Sequence, residues 1–136
     1  MEIRKSMADD VPAILEIFRA AKAYMAAHGN PTQWGGDYPG LPELLPDIAR
    51  GDSYVLTENG TVVGTIHRLA SNGTVRGVSR ACFDFCTGLS DYVRVDTHAD
   101  NRAMQAAIEG YGFRKCGNIY ASSGTLRMAY DYVWEG

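Results

Sequence analysis

A glycine-bearing stretch near the middle of the chain, residues 71–86, has the composition of an anion-binding turn. An extended apolar run ends at Leu69 and Ala70 before it, and an apolar stripe with helical spacing follows it. The stretch therefore predicts a strand, a tight loop and then a helix. Gly73 and Gly77 let the loop bend, and the start of a helix leaves backbone N–H groups without helical partners.

The predicted helix start, near Val78, has the chemistry to bind an anion. Backbone amides of residues 75–79 and the positive end of the helix dipole attract negative charge, and Arg76 and Arg80 add two mobile cations. We expect a phosphate-bearing ligand. The stretch has neither the Gly-Lys-Ser/Thr of a Walker loop nor the three spaced glycines of a dinucleotide fingerprint. A turn that serves backbone geometry alone is the alternative interpretation.

The overall composition is typical of one globular domain, which we expect to span residues 1–136. A chain of this length that is 46% hydrophobic and 21% charged can bury an adequate core. A net charge of -3 does not indicate the excess of basic residues that binds nucleic acid or an anionic membrane. No apolar run has the length of a membrane span, and the charged N-terminus lacks a signal-peptide region. We therefore expect a cytoplasmic protein.

Cysteine and histidine residues show no metal-site spacing. Cys82 and Cys86 share one predicted helix, where we expect them in the core, and Cys116 stands alone. The histidines lack the paired spacing of zinc ligands; they are His28, His67 and His98. We expect no metal cofactor.

The N-terminal third predicts a strand opened by Ile3, a helix capped by Asp9 and ended by Gly29, and a loop. A core-facing stripe marks the helix: Val11, Ile14, Leu15, Phe18, Ala21 and Met25. The loop carries side chains that either contact a ligand or plug an edge of the core: Gln33, Trp34 and Tyr38.

The rest of the chain predicts alternating helices and strands. A second helix covers residues 41–50, and a hairpin turns at Asn59 and Gly60 before an extended segment over residues 65–70. Later elements are a strand over 92–96, a helix closed by Gly112, and strands over 113–120 and 126–134 joined at 122–124. The pattern indicates an α/β (α+β) fold: a mixed, mostly antiparallel central sheet flanked by about four helices.

Two segments at this spacing resemble the GNAT superfamily of N-acetyltransferases. Residues 74–79 are similar to the family's acetyl-coenzyme A (acetyl-CoA) pyrophosphate loop. Residues 92–96, followed by Asn101 and then by Tyr111, Gly112 and Phe113, are similar to its strand, Asn-bearing helix and terminal Gly-Phe. The resemblance covers most of the chain. It implies a GNAT-like fold and an acetyl-CoA-dependent N-acetyltransferase.

The resemblance also assigns roles to residues. Asn101 and the strand ending at Leu69 and Ala70 would bind the amide arm of the coenzyme through strand-like pairing. The diphosphate cradle and its adjacent cations would be formed by Val75, Arg76, Gly77, Val78, Ser79 and Arg80. One wall of the acceptor site would be formed by Gln33, Trp34 and Tyr38.

This chain departs from the family pattern in three places. Thr74 and Ser79 replace the usual first and last residues of the loop. Ile108 stands where many members have a tyrosine general acid. The tyrosines that could substitute for it are Tyr111, Tyr120 and Tyr130. The third departure is length: between Gly64 and Ile66 a strand and a loop are expected but not found, so either the sheet is shortened or a segment is missing from the chain.

The implied reaction is direct attack of a neutral amine on the thioester in one ternary complex, with a backbone N–H near Leu69 and Ala70 holding the thioester oxygen. Candidates for the general base are Asp96, His98 and Glu109. Each has a structural alternative: His98 as a turn cap, Asn101 as a helix N-cap, and the strand tyrosines as packing residues.

Two other classes of function remain open. A catalytically weak or inactive acyl-CoA-binding regulatory module would keep the cradle and lose turnover. A cysteine hydrolase would use Cys116 with His98 and Asp100. For the transferase, the acceptor is a small-molecule amine or a protein amine. Nucleic acid and membrane are not expected partners, and a homodimer is one arrangement that the resemblance implies.

Overall fold

The computed structural model describes residues 1–31, 33–66, 69–71, 73, 75–120 and 126–133. The chain divides into two compact units, Met1–Cys82 and Phe83–Gly136. Among the described residues each unit contains its own antiparallel sheet, whereas the sequence predicts one central sheet. The predicted α/β class with about four helices is confirmed.

The first unit carries a four-stranded sheet of order β1-β2-β3-β4. Its elements are β1 (Glu2–Lys5), a 3-10 turn (Ala8–Asp10), α1 (Val11–Ala27), α2 (Leu41–Arg50), β2 (Tyr54–Glu58), β3 (Thr61–Ile66) and β4 (Ala70–Ser71). The second unit carries a three-stranded sheet of order β5-β7-β6. Its elements are β5 (Tyr92–His98), α4 (Arg102–Tyr111), β6 (Arg114–Tyr120) and β7 (Leu126–Val133). Helix α3 (Val78–Leu89) runs across the boundary.

The glycine signals at helix and hairpin ends are confirmed. Gly51 and Gly112 are the C-caps of α2 and α4, with φ of 75° and 121°. Gly29 follows α1 at φ 81°. Asn59 and Gly60 have positive φ, 52° and 80°, as the two central residues of a tight hairpin turn often do. These turns follow from backbone conformations that glycine and asparagine adopt most readily.

Two local predictions were wrong. Asp10, rather than Asp9, precedes the first residue of α1, because a 3-10 turn takes up the residues before it. Arg4 holds the Asp10 carboxylate through two hydrogen bonds of 2.8 and 2.9 Å. The extended segment predicted over residues 65–70 is not one strand: β3 ends at Ile66, and Ala70 pairs back antiparallel with Thr65. The turn predicted at 122–124, together with Thr74, His67 and Trp134, lies outside the described residues.

The first unit has two apolar clusters. One joins α1 to Leu44 of α2 and Val55 of β2. From α1 it takes Ile14 and Phe18, both in the predicted helical stripe, and Ile17, which the predicted stripe did not include. The other joins Leu56 and Val63 to Val78 and Cys82 of α3, and so holds the start of α3 on the sheet. None of the helices among the described residues has the length and apolar character needed to cross a bilayer.

Candidate functional site

The turn that opens α3 has the backbone form expected of an anion-binding loop. Gly73 and Gly77 have φ of 77° and 84°, and a Cβ on either would meet no atom within 4 Å. Glycine is therefore required here for backbone conformation rather than for space. The Ala81 N–H donates to the Gly77 oxygen at 2.9 Å. The N–H groups of Val78 and Ser79 lie in the first turn of α3, where the helix itself provides no hydrogen-bond partner.

The same turn is exposed to solvent, and Val78, the first residue of the helix, packs in the apolar core. Arg76, Gly77 and Arg80 are exposed, whereas Val78 is 5% exposed and packs in the apolar cluster with Leu56. An anion at this surface would meet backbone N–H groups, the positive end of a 12-residue helix and two guanidinium groups. The turn is neither buried nor built for space filling, so the ligand-binding interpretation keeps its physical basis.

The strand edge beside this turn is shorter than predicted. Strand β4 consists of Ala70 and Ser71, which pair with Thr65 and Gly64 of β3. Leu69 lies in the turn before β4, which corrects its predicted place on a strand. If a coenzyme arm pairs with this edge, the pairing segment is two residues long.

Asn101 is the N-cap of α4. Its Oδ1 accepts a hydrogen bond of 3.1 Å from the Met104 N–H, so the structural alternative for this residue is observed. A role in binding the coenzyme stays a prediction.

His98 ends β5 and is 8% exposed. Its Nδ1 accepts the Asp100 N–H at 3.0 Å, as the predicted turn-capping alternative requires. The neutral imidazole therefore carries its proton on Nε2. Gln105 Nε2 also donates to the His98 and Ala99 oxygens, at 3.2 and 2.8 Å. In this arrangement Nε2 is a donor, which does not suit it to removing a proton from an amine.

The Tyr111 hydroxyl lies between two side chains of α3. It donates to Asp84 Oδ1 at 2.7 Å and lies 3.1 Å from Thr87 Oγ1. Burial and the Asp84 carboxylate raise the pKa of Tyr111. Its ring packs with Phe83, Phe113 and Tyr132, with centroids 5.3 to 5.7 Å away. Structural contacts therefore hold both the hydroxyl and the ring of Tyr111.

The other two tyrosines lie in opposite environments. Tyr120 is 75% exposed at the end of β6, whereas Tyr130 is 2% exposed in the middle of β7. Burial, followed by the charge of Glu109, raises the pKa of Tyr130. The Tyr130 hydroxyl keeps its proton at neutral pH, because an unperturbed tyrosine already titrates near 10 and the shift is upward.

The strand register separates the predicted catalytic residues. His98 pairs with Arg127, which pairs with Ile119, whereas Tyr120 pairs with Leu126. Adjacent residues of a strand point to opposite faces of the sheet. His98 and Tyr120 therefore share one end of the sheet but not one face.

Asp96, one of the predicted bases, lies on the face of the sheet that His98 shares. Its Oδ1 is 3.9 Å from Arg127 Nη1. Glu109, the other acidic candidate, is exposed on α4.

Cys116 lacks the surroundings of a nucleophile. It is exposed on β6, and partial desolvation of its thiol, followed by the neighbouring Asp131, raises the pKa of that thiol. The adjacent Gly117 pairs with Ala129, which pairs with Asp96, so His98 lies two residues further along β5. A raised thiol pKa lowers the fraction of thiolate, which is the reacting form. This geometry gives the cysteine hydrolase no support.

The loop between α1 and α2 places its three predicted side chains in different environments. Trp34 is a plug: its ring meets Phe18 edge-on at 5.6 Å and packs on the α1–α2 cluster. Tyr38 is 43% exposed and could contact a ligand. Gln33 is partly exposed and accepts a hydrogen bond of 2.9 Å from Asn30 Nδ2.

Sequence reasoning missed two polar residues of this region. Asn30 Oδ1 and Glu43 Oε2 are buried, and no described residue provides either with a hydrogen-bond partner. No spacing or residue type marks an unpaired oxygen in a sequence. The loop composition around Asn30 indicated only that the chain turns there.

Comparison with known proteins adds the family context. No protein-family model and no curated protein matches the sequence. Solved structures do match. A GNAT-family acetyltransferase from Streptococcus agalactiae superposes with a TM-score of 0.88 at 21% identity, over 99% of this chain and 96% of that one. The chain has the GNAT acetyltransferase fold.

Two further structures with the GNAT fold extend the comparison. The ribosomal-protein-alanine N-acetyltransferase of Brucella melitensis matches with a TM-score of 0.67 at 18% identity, over 98% of this chain and 99% of its own. A Salmonella typhimurium protein solved with its cofactor acetyl-CoA matches with a TM-score of 0.65 at 17% identity, over 98% of this chain and 94% of its own. The resemblance predicted from the residues is thus confirmed at the level of the fold.

Proposed function

We propose that the protein transfers an acetyl group from acetyl-CoA to a primary amine. The observation that carries the proposal is the turn at Gly73 and Gly77, which presents backbone N–H groups at an exposed helix start in a chain with the GNAT fold. A structure with this fold was solved with acetyl-CoA. Acetyl-CoA carries a diphosphate, which is the group that such a helix start attracts.

The chain's own residues fit the coenzyme as a cosubstrate. The N–H groups of Val78 and Ser79 would donate to the diphosphate, and Arg76 and Arg80 would neutralise its charge. The short strand β4 would pair with the amide arm through backbone groups of Ala70 and Ser71. Asn101 would add a side-chain contact beside its capping bond.

The reaction needs one bond formed and one bond broken. The amine nitrogen attacks the thioester carbon, the C–N bond forms, the C–S bond breaks and the coenzyme leaves as a thiolate. A base takes the proton that the ammonium loses, and the thiolate takes up a proton. A backbone N–H beside Leu69 or Ala70 would stabilise the oxygen on which charge develops.

The tautomer of His98 bears on the choice of base. Since Nε2 carries the proton, Asp96 and Glu109 fit the base role better, acting directly or through water. The thiolate needs little help, because an alkyl thiol has a pKa of about 8.5 and leaves readily near neutral pH. Ile108 in place of a tyrosine is therefore compatible with turnover, and Tyr120 or Tyr130 remains a proposed proton donor.

The acyl-CoA-binding regulatory module is the second candidate. It would use the same cradle without chemistry, and Ile108 is the residue that favours it. We place the transferase first because the matching structures are acetyltransferases. The acceptor would be a small amine or a protein amine; two of the matching structures are ribosomal-protein-alanine N-acetyltransferases.

The test is a thiol-release assay with acetyl-CoA over a panel of primary amines, preceded by a calorimetric titration of acetyl-CoA. Saturable binding with amine-dependent thiol release supports the transferase. Saturable binding without release for any amine selects the regulatory module. Absence of binding overturns both.

A further inference from the structure

The turn from β5 into α4, residues 98–101, is held by hydrogen bonds that converge on His98. Its Nδ1 accepts the Asp100 N–H at 3.0 Å, and its backbone oxygen accepts the Asn101 N–H at 2.9 Å. The residue is 8% exposed. His98 therefore shapes the backbone of the turn through both its side chain and its main chain.

Gln105, near the start of α4, holds the same turn from the helix side. Its Nε2 donates to the oxygens of His98 and Ala99, at 3.2 and 2.8 Å. An amide nitrogen carries two N–H groups, so one side chain can bond two consecutive carbonyls. The Ala99 N–H in turn donates to the Leu126 oxygen of β7 at 3.3 Å. The turn is thus attached both to the helix that follows it and to the sheet.

Asn101 is the residue whose orientation this network fixes. Its N–H donates to His98, its backbone oxygen accepts the Gln105 N–H at 3.1 Å, and its Oδ1 accepts the Met104 N–H at 3.1 Å. A side-chain amide is planar, so the direction of Nδ2 follows from these bonds. Nδ2 is the group with which Asn101 would donate to the amide arm of acetyl-CoA. Because a hydrogen bond weakens as its angle departs from linearity, that contact would depend on the shape of the turn.

The bonding of His98 suits positioning better than proton transfer. A base that takes a proton from an amine needs a nitrogen lone pair, and the lone pair of Nδ1 already accepts the Asp100 N–H. What the turn needs from the side chain is an acceptor at the place of Nδ1. The side-chain oxygen of an asparagine is separated from the backbone by the same number of bonds, so it could replace that acceptor without an imidazole ring.

We propose that His98 is a positioning residue for acetyl-CoA binding: together with Gln105 it holds the turn that directs the Asn101 amide toward the arm of the coenzyme. This inference rests on the proposed function, in which Asn101 contacts that arm. It gives His98 a role in the affinity for the cosubstrate and none in proton transfer.

The first test compares two substitutions of His98 by calorimetric titration of acetyl-CoA, after urea unfolding has shown that each variant folds. His98→Asn keeps an acceptor at the place of Nδ1, whereas His98→Leu removes it. We expect His98→Asn to bind within about twofold of wild type and His98→Leu to bind on the order of tenfold more weakly, as for one misplaced hydrogen bond. Equal weakening of both variants overturns the inference. His28→Leu is the control: His28 is exposed at the C-cap of α1, and this variant should bind as wild type does.

A double-mutant cycle separates action through Asn101 from a general loss of structure. Asn101→Ser keeps an N-cap side chain and removes the amide, so acetyl-CoA affinity should fall on the order of tenfold. In that background His98→Leu should weaken binding little further, because the group that it misplaces is already gone. Additive losses overturn the inference. If His98→Leu fails to fold, Gln105→Met takes its place in the cycle, since Gln105 is partly exposed and methionine keeps its length without the two donors.

Kinetics distinguish positioning from catalysis, and this inference from the proposed function. In the thiol-release assay at saturating acetyl-CoA, the kcat of His98→Asn should stay close to wild type, because no proton passes through this residue. A fall in kcat of more than about tenfold would make His98 a catalytic residue and overturn the inference. Additive losses in a protein that binds acetyl-CoA and acetylates an amine mean that the inference fails and the proposed function stands. Absence of acetyl-CoA binding by the wild type overturns the proposed function, and the inference with it.

Discussion

One substitution at Tyr111 can distinguish a structural role of its hydroxyl from a catalytic role. It donates to Asp84 at 2.7 Å, which ties α4 to α3. We expect Tyr111→Phe to lower the free energy of unfolding by about 1–2 kcal/mol, because the ring stays packed and a hydrogen bond to a charged group is lost. Urea unfolding measures the change, and the kcat of thiol release should stay within about twofold of wild type.

The opposite result would reassign the residue. A fall in kcat of more than about tenfold at unchanged stability would make Tyr111 a catalytic residue. Asp84→Asn is the matched control, because it weakens the same bond from its other end. It should reproduce the loss of stability.

Asp10 gives a second prediction at the residue scale, in the pH dependence of stability. The hydrogen bonds from Arg4 hold the pKa of the Asp10 carboxyl below its usual range. A group whose pKa is lower in the folded state stabilises the fold above its unfolded pKa, about 3.9, and loses that contribution as the pH falls through the folded value. We expect Asp10→Asn to cost about 1–2 kcal/mol at pH 7. The difference from wild type should shrink as the pH falls below 4.

Urea unfolding across this pH range measures the effect. The control is Asp9→Asn, since Asp9 is the exposed neighbour in the same 3-10 turn. That variant should differ little from wild type at any pH. A loss of stability by Asp10→Asn that is the same at pH 7 and pH 3 would show that shape, not charge, matters at this position.

At the scale of elements, α3 allows a matched pair of glycine substitutions, one just before its start and one near its end. Gly77 has a φ of 84°, whereas Gly88 lies within the helix. A Cβ added at either position would meet no atom within 4 Å. Gly77→Ala should cost about 1–2 kcal/mol, because an L-residue is strained in the left-handed region. Gly88→Ala should stabilise by roughly 0.5–1 kcal/mol.

The same pair reports on the cradle. Gly77→Ala distorts the turn whose amides precede α3, so acetyl-CoA affinity should fall by on the order of tenfold, whereas Gly88→Ala should leave it unchanged. Calorimetric titration of both variants measures this. Wild-type affinity in a folded Gly77→Ala protein would mean that the coenzyme does not use this turn.

What the sequence predicts at this scale depends on how local the cause is. Gly51, Gly112 and the Asn59–Gly60 turn act through their own backbone conformations, so their positions mark element ends directly. The reversal before β4 depends on pairing between Ala70 and Thr65. No single residue encodes such a pairing, and the segment over residues 65–70, in which Ile66 and Leu69 are apolar, therefore resembled one strand.

The features of the candidate site also fall into those with local causes and those that depend on tertiary contacts. Glycines and arginines around Val78 predict the anion-binding turn from local rules. The contacts of Tyr111 with Asp84, and the unpaired oxygens of Asn30 and Glu43, arise from tertiary packing. Capping by Asn101, the structural alternative for this residue, is observed, and it is predictable from local sequence because the N-cap bond joins residues three apart.

At the scale of the whole molecule, α3 joins the two compact units through consecutive residues. Val78 and Cys82 belong to the apolar cluster of the first unit. Phe83, the next residue, packs with Tyr111 and Phe113 in the second, at 5.3 and 5.2 Å. A helix propagates cooperatively along its length, so loss of one half destabilises the other. We therefore expect one cooperative unfolding transition for the entire chain.

Phe83→Leu tests this cooperativity. The substitution removes a 5% exposed aromatic ring from the second unit and should cost about 1–2 kcal/mol. In a Trp134→Phe background, Trp34 fluorescence reports on the first unit alone, while far-UV circular dichroism reports on the whole chain. Both urea midpoints should move down together. An unchanged Trp34 midpoint beside a biphasic dichroism curve would mean that the second unit unfolds by itself, and that α3 does not transmit its loss to the first.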